Sequence, residues 1–404
     1  MRVIQINGGV FGSTGKIMFG IAEQLEKNGD DCLCMSPVTT TNRYCEPENR
    51  YEKIGSFYSR RLSVLMDRIT GLSGCFSFFS TLRLLKKIKH YNPDVLHLHN
   101  LHNGYINLPL LFNYIKKNNI RVIWTLHDCW AFTGHCPHYT MAKCQRWMTG
   151  CSHCSQYREY PECIYDNSAK MYRLKLKWFS GIKNMTIVTP SQWLANQVSK
   201  SFLKNYQIQV INNGIDLSIF KQTPSDFRMR WHIPCDKYII LGVAFGWGKK
   251  KGLDVFIDLA KKLDSEKYQI LLVGTSPEIE KLLPFNIISI GRTNSFQELA
   301  EIYSAADVFV NATYEDTFPT TNIESLACGT PVLTFDTGGS PEIPDKTCGS
   351  VVPCDDVDSL EKELVYICNK KPYSNLSCMK RAEKFDKNKK FGEYLDLYRR
   401  ISNE

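Results

Sequence analysis

Two carboxylates, Asp316 and Glu324, stand eight positions apart in the stretch NATYEDTFPTTNIESLACGTPVLTFDTGGSPE, from Asn311 to Glu342. Between them lies Thr317-Phe318-Pro319-Thr320-Thr321, and after them Cys328-Gly329-Thr330-Pro331 leads into the apolar run Val332 to Phe335. The pattern reads as a loop feeding a helix, then a tight turn into a buried strand. A Pro near the start and a Gly just past the end fit helix-terminus preferences. A helix N-terminus presents N–H groups to an anion such as a diphosphate. Carboxylates repel phosphate but accept hydrogen bonds from hydroxyls. One carboxylate before the anion site and one inside the helix therefore suit a sugar nucleotide, with sugar hydroxyls at one end and ribose hydroxyls at the other.

Three further groups could join that chemistry. Gly246-Trp247-Gly248-Lys249-Lys250-Lys251-Gly252 follows a strand-like run and is expected to open a helix. Lysines at a helix N-terminus oppose the helix dipole, and a bound anion would compensate, since Lys serves phosphate as a point charge. Solvated surface lysines are the alternative. Asn7-Gly8-Gly9-Val10-Phe11-Gly12-Ser13-Thr14-Gly15-Lys16 nearly matches G-x-G-x-x-G, with Asn7 at the first Gly, and fails the P-loop pattern at Val10 and Ile17. It is either a tight strand–helix turn or a loop whose backbone at Gly8 and Gly9 approaches a ligand, with Lys16 adding charge. His127-Asp128 follows the run Val122–Leu126, where a strand of the first half should end at a ligand site.

A cysteine cluster, Cys136, Cys144, Cys151 and Cys154, is flanked by Cys129 and Cys163 and contains His135, His138 and His153. Four Cys with one C-x2-C suit a closed tetrahedral structural zinc. Free thiols and a disulfide pair stay open beside it.

The elements that must position these groups alternate between strand-like and helical runs, the pattern of a parallel α/β sheet. The first half offers strands at 2–6, 95–99, 122–126, 186–189 and 209–211, and helices at 14–27, 108–117 and 192–203. The second restarts with strands at 238–244, 269–273, 287–290 and 308–311, and helices at 252–263 and 296–305. The segment 212–234 between them is polar and holds Pro224. The expected organisation is a domain over 1–215 carrying the Cys-rich loop 129–163, a second over 216–384, and a helical close over 385–404. Two such domains place a ligand at the carboxyl ends of their strands, in a cleft.

The chain has 404 residues, 43% hydrophobic, enough for two or three cored domains. No apolar run approaches the roughly 18 residues of a membrane span, and no signal-peptide pattern opens the chain, so a cytoplasmic location is expected. Sixteen Cys then read as thiols or metal ligands before disulfides. Charge is uneven: residues 1–210 carry 26 Lys and Arg against 13 Asp and Glu, net +13, while residues 211–404 carry 24 against 28, net −4. An excess of this kind suits an anionic partner. Within it, Phe57 to His90 mixes seven Arg and Lys with Phe78, Phe79, Leu62, Leu65 and Leu82. That composition fits either an anionic bilayer surface or two ordinary helices with solvated basic faces. No nucleic-acid module is present and the aromatics are not interleaved with basic residues, so nucleic acid is not an expected partner.

Taken together the motifs resemble the family-4 retaining glycosyltransferases of the GT-B fold. The resemblance rests on the Gly8-Gly9 loop, Thr125-Leu126-His127-Asp128, Thr189-Pro190-Ser191-x-Trp193-Leu194 and Ile211-Asn212-Asn213-Gly214-Ile215-Asp216. It rests also on Lys250-Lys251-Gly252, the Asp316–Glu324 pair, Ala327-Cys328-Gly329-Thr330-Pro331 and Gly338-Gly339 before Pro341-Glu342. His127-Asp-Cys-Trp130-x-x-Thr133-Gly134 with its Cys cluster is similar to a subgroup that builds bacterial surface polysaccharides and lipopolysaccharide. The resemblance implies two Rossmann-like doubly wound domains facing a central cleft, an N-terminal acceptor domain and a C-terminal donor domain, with the closing helix 385–404 crossing back to the first. It implies sugar transfer, with retention, from a nucleotide sugar to a saccharide or lipid-linked saccharide. Glu324 would bind ribose; Asp316 and the backbone of Thr317, Phe318, Pro319 and Thr320 the sugar and diphosphate; Lys250 and Lys251 the leaving diphosphate. His127 would contact the sugar, with Gly8 and Gly9 near the diphosphate and acceptor. The family pattern has Glu where Asp316 stands, and Glu315 is one position off, so either carboxylate is a candidate for the sugar. An Arg several residues before the Lys is replaced here near Gly246. With Lys and a helix terminus present, no catalytic metal is required. An epimerase or phosphorylase on the same fold, and a non-catalytic nucleotide-sugar-binding subunit, are the rival readings.

Overall fold

The computed structural model describes residues 1–44 and 51–403. Thirteen strands are present among them: β1 (Arg2–Ile6), β2 (Asp31–Pro37), β3 (Glu52–Ile54), β4 (Val95–Leu98), β5 (Val122–Thr125), β6 (Met185–Thr189), β7 (Gln207–Val210), β8 (Tyr238–Val243), β9 (Tyr268–Val273), β10 (Ile287–Ile290), β11 (Val308–Asn311), β12 (Val332–Asp336) and β13 (Gly349–Pro353). They form two sheets, ordered β3-β2-β1-β4-β5-β6-β7 and β10-β9-β8-β11-β12-β13. All their pairings are parallel, with Ile6 beside both Met35 and Leu98, and Leu241 beside both Leu271 and Phe309. In each sheet the winding reverses once, between β1 and β4 and between β8 and β11. Open parallel sheets bind ligands at that reversal, outside the carboxyl ends of the strands.

The chain divides into two compact units, Met1–Asn212 joined by the residues from Lys390 onward, and Asn213–Lys389. In the first, the strand period of two sends Ile4, Ile6, Leu96, Leu98 and Trp124 to one face, against Leu111, Phe112 and Phe179. Val3, Val95, Ile123 and Val188 go to the other face, against Ile17, Ile21 and Leu25 and against Phe391, Tyr394, Leu395 and Tyr398 of the helix Lys387–Asn403. Both faces are buried, which is why these strands read as continuous apolar runs. In the second unit Ile239, Leu241, Leu271 and Phe309 pack with Tyr303, Ile323 and Leu326.

Three strands, β2, β3 and β13, lie where the sequence offered no strand. β2 is Asp-Cys-Leu-Cys-Met-Ser-Pro, without a β-branched residue; parallel pairing with β1 decides its conformation. The helix expected over 192–203 ends at Val198. Ser201 turns the chain there, its hydroxyl donating to the Val198 carbonyl at 2.8 Å and accepting from the Leu203 N–H at 3.0 Å. The basic segment forms two helices, Phe57–Thr70 and Phe78–Tyr91.

Candidate functional site

At the reversal in the second unit, β8 leads to Gly246 and β11 to Thr313. The three lysines do not open a helix as expected. Lys249–Lys251 form a single 3-10 turn closed by Gly252 at φ 74°, and the helix Leu253–Lys262 starts beyond it with Asp254 in its first turn. Two of the three, Lys250 and Lys251, face carboxylates on the neighbouring loop. Lys251 Nζ donates to Asp316 Oδ2 at 2.7 Å, and Lys250 Nζ lies 3.7 Å from Glu315 Oε2. The Lys250 carbonyl accepts from the Tyr314 N–H at 3.0 Å and the Thr313 hydroxyl at 3.1 Å, tying the two loops by backbone as well. Both candidate carboxylates therefore reach a lysine, Glu315 from a buried position and Asp316 from a partly exposed one.

After Asp316, whose Oδ1 accepts from the Phe318 N–H at 3.2 Å, Thr317 and Phe318 are buried. Pro319 then starts the helix Thr320–Ala327, which no side chain caps. Its N-terminal N–H groups are thus not engaged by a capping side chain, the arrangement that suits an anion. Asn322 fixes the helix from below: its Oδ1 accepts from Asn311 Nδ2 at 2.6 Å and its Nδ2 donates to Ser340 Oγ at 2.9 Å. Glu324 is buried, and Tyr303 donates its hydroxyl to Oε2 at 3.2 Å. Burial first, and the Glu324 charge after it, hold the Tyr303 phenol well above its ordinary pKa, so it remains a donor. Gly338, at φ 56°, backs the loop: a Cβ there would lie 1.7 Å from the Asp316 carbonyl oxygen.

At the reversal in the first unit, β1 leads to Asn7 and β4 to His99. Asn7 is fully buried and organises the glycine loop. Its Oδ1 accepts from the Gly8 N–H at 2.9 Å, and its Nδ2 donates to the Gly9 carbonyl at 2.8 Å and Thr14 Oγ1 at 3.2 Å. A side chain replaces the first glycine of the fingerprint by holding the turn directly. Next to it His127 Nε2 lies 3.1 Å from His99 Nδ1, their rings stacked at 5.3 Å, and His99 Nε2 lies 3.0 Å from Gln5 Oε1. His97, one alternate position back, meets Tyr398 at 2.5 Å and Thr125 at 2.7 Å. Burial pushes all three imidazoles down, His127 to about 4 and the other two well below the ordinary value. They are neutral at physiological pH. Asp128 turns away to His102 Nε2 at 3.1 Å and the Trp130 N–H at 2.8 Å. Burial raises its pKa, but His102 and these hydrogen bonds outweigh that and hold it below the usual carboxylate value.

The Cys-rich loop packs against the buried side chain of Lys175, whose Nζ donates to the carbonyls of Trp130 at 2.6 Å and Thr133 at 3.0 Å and lies 3.5 Å from the Trp130 ring centroid. Burial pushes this ammonium down to about 7. Cys136 and Cys154 share a hydrogen bond that favours the Cys154 thiolate, lowering it to about 7, and Cys151 Sγ accepts from the Gly134 N–H at 3.1 Å. The described cysteines are free thiols. Among the described residues no group of three or more His, Cys, Asp or Glu side chains is arranged to hold a metal ion.

Residues 15–219, half of the chain, match the family model described as Glycosyltransferase Family 4. The chain belongs to that family. Residues 237–370 match the model described as Glycosyl transferases group 1, so the second switch point and the β4 side of the first fall within matched segments, while β1 and the glycine turn precede them. Among relatives of this glycosyltransferase, a protein of Escherichia coli (strain K12) that carries the name colanic acid biosynthesis glycosyl transferase WcaC is 26% identical over 284 residues, 66% of this chain and 65% of its own length. An uncharacterized 41.2 kDa protein in the cps region of Klebsiella pneumoniae is 22% identical over 415 residues, covering 99% of each chain. Among solved structures, Anabaena Alr3699/HepE in complex with UDP-glucose superposes with a TM-score of 0.68 at 13% identity, over 98% of this chain and 100% of that one. The fold is GT-B, two Rossmann-like α/β domains.

Sequence reading missed Gln5, Asn7 as a loop organiser, His99, Tyr303 and Asn322. The signal for the first three was available: polar residues inside or just after runs otherwise apolar enough to be buried strands.

Proposed function

We propose that the chain transfers a sugar, with retention, from a nucleoside diphosphate sugar to a saccharide acceptor during assembly of a bacterial surface polysaccharide or lipopolysaccharide. The observation that carries this reading is the second-unit loop pair. Lys250 and Lys251 stand on carboxylates next to a helix N-terminus without a side-chain cap, and Glu324 lies one turn into that helix. Departure of the sugar leaves extra charge on the diphosphate. Preorganised ammonium and N–H groups that bind this charge more tightly in the transition state lower the barrier. Lys251 is held at rest by Asp316; an arriving phosphate competes for it and frees the carboxylate to accept sugar hydroxyls. Glu324, oriented by Tyr303, is assigned to the ribose and His127 to the sugar. The backbone of Thr317 to Thr320 and the Gly8-Gly9 loop line the donor. The first unit is assigned to the acceptor and the second to the donor. The lysines and helix N–H groups supply the positive charge, so transfer should withstand EDTA. The relative named for colanic acid and the neighbour solved with UDP-glucose support the substrate classes. The test is Glu324→Ala: donor binding by calorimetry and transfer should both fall, and unchanged donor affinity would remove the ribose assignment. A structural zinc held by Cys136, Cys144, Cys151 and Cys154 would show as one equivalent per chain by elemental analysis.

The helices Phe57–Thr70 and Phe78–Tyr91 support a second part of this reading, a peripheral site on an anionic membrane. They expose Tyr58, Leu62, Leu65, Phe79 and Leu82 beside Arg61, Arg83, Lys86 and Lys89, and a groove of ≈ 370 Å³ runs between Phe79, Leu82, Lys86, Lys89 and Tyr114. No described helix is long and apolar enough to cross a membrane. Apolar side chains at headgroup depth with cations around them suit such a surface and would bring a lipid-linked acceptor close. Flotation with anionic vesicles should be lost in Phe79→Asp; retention of full binding would remove the site.

A further inference from the structure

The hydrogen bonds below His127 run in one direction only. Gln5 is fully buried, and its Nε2 donates to the Met18 carbonyl at 2.9 Å. A carbonyl can only accept, so the amide cannot be turned the other way, and Oε1 is the atom facing His99. That oxygen in turn can only accept, so His99 Nε2, 3.0 Å away, carries a proton. His99 is neutral through burial, and its Nδ1 is therefore bare. His127 Nε2, 3.1 Å from that bare nitrogen, must be the donor. The indole N–H of Trp124 donates to the His99 backbone carbonyl at 3.0 Å, and the His97 ring lies tilted against the His99 ring at 4.0 Å, so the backbone and the ring of the residue that transmits this order are both held.

We propose that Gln5 and His99 are positioning residues that lock His127 into the tautomer protonated at Nε2, so that its Nδ1 meets the donor sugar only as a hydrogen-bond acceptor. This rests on the assignment of His127 to the sugar. Whatever group meets Nδ1 must donate. A hydroxyl does so, and a carboxylate at the same place is rejected, its negative oxygens meeting a lone pair. The site thereby selects a sugar that presents a hydroxyl there over one that presents an acid. Had the order run the other way, a neutral imidazole would have offered its proton to the ligand and favoured an acceptor instead.

The tautomer is read directly in the full chain labelled with ¹⁵N-histidine, by long-range proton–nitrogen correlation at pH 7, with the His127 signals assigned by their loss in His127→Gln. The expected spectrum has a pyrrole-type Nε2 and a pyridine-type Nδ1. In Gln5→Met, and in His99→Leu where it folds, the His127 nitrogens should move toward averaged values, and transfer should fall about tenfold, the size of one lost hydrogen bond to the reacting ligand. A pyridine-type Nε2 in the unmodified protein overturns the proposal, as do unchanged His127 signals in folded Gln5→Met. Normal transfer by His127→Gln overturns instead the sugar contact on which it rests, and the spectrum separates the two failures.

Discussion

The two switch points are built on the same topology and filled with opposite chemistry. In the first unit the carboxyl ends of β1, β4 and β5 carry Gln5, Asn7, His99 and His127, buried or partly buried groups that are neutral at physiological pH and joined by directed hydrogen bonds. In the second, the ends of β8 and β11 lead to Lys250, Lys251, Glu315 and Asp316, held by ion pairs. A neutral network fixes which atom donates and which accepts, and discriminates between ligands of equal charge. An ion-paired loop fixes little orientation but can release a full charge onto a phosphate. Under the proposed function the first unit would add a directed contact to the sugar, and the two lysines of the second would stabilise the leaving group.

The comparison breaks most easily at Lys251. Lys251→Ala should lower turnover by about 10²–10³, the loss expected for a group that stabilises transition-state charge, measured as initial rates of labelled-sugar transfer. A smaller loss than that caused by His127→Gln would reverse the assignment of roles. Next come the glycines behind the two loops. Gly338→Ala forces a Cβ to within 1.7 Å of the Asp316 carbonyl at a positive φ, whereas Gly8→Ala meets the Asn100 carbonyl at 3.1 Å. Denaturant unfolding should show a loss of about 2 kcal/mol or more for the first and under about 1 kcal/mol for the second. Equal losses would mean that the Asp316 loop can relax.

The mildest effect is in acid. His97, His99, His127 and His135 all have folded pKa values below the ordinary 6.5, burial being the main cause. Between those values and 6.5 the unfolded chain binds more protons, so stability is full above about pH 6.5 and falls as the pH drops toward 4. Asp67 opposes this, since burial raises it to about 8 and acid favours its folded, protonated form, but it is one group against four. In the second unit the depressed carboxyls, Asp216 and Asp345 among them, keep their contribution until the pH falls below their ordinary value of 3.8. Hydrogen exchange at pH 5 should therefore show the first unit opening before the second. Loss of protection in the second unit first would contradict the neutral-histidine account.

Much of the fold was legible because a parallel sheet buried on both faces writes its strands as apolar runs: β1, β10 and β11 stand at the expected residues. β2 was not legible, since its conformation comes from pairing and not from its own side chains. The second-unit loops were readable as charges at a strand end, although the lysines sit in a 3-10 turn where a helix start was expected. The histidine relay was not, because its order depends on Met18, a backbone carbonyl thirteen residues from Gln5 along the chain.

The helix Lys387–Asn403 has a consequence for how the molecule is made. Its Tyr394 and Tyr398 hydroxyls satisfy Thr125 and His97, yet the whole of the second unit lies between those partners in the chain. On the ribosome the second unit is complete and able to fold while the imidazole of His97 still lacks its phenol. A domain ordinarily folds as its sequence emerges, N-terminal first; here the one that emerges first must finish last, and a chain truncated before residue 394 would hold the whole sequence of the second unit while Thr125 and His97 still lacked their phenols.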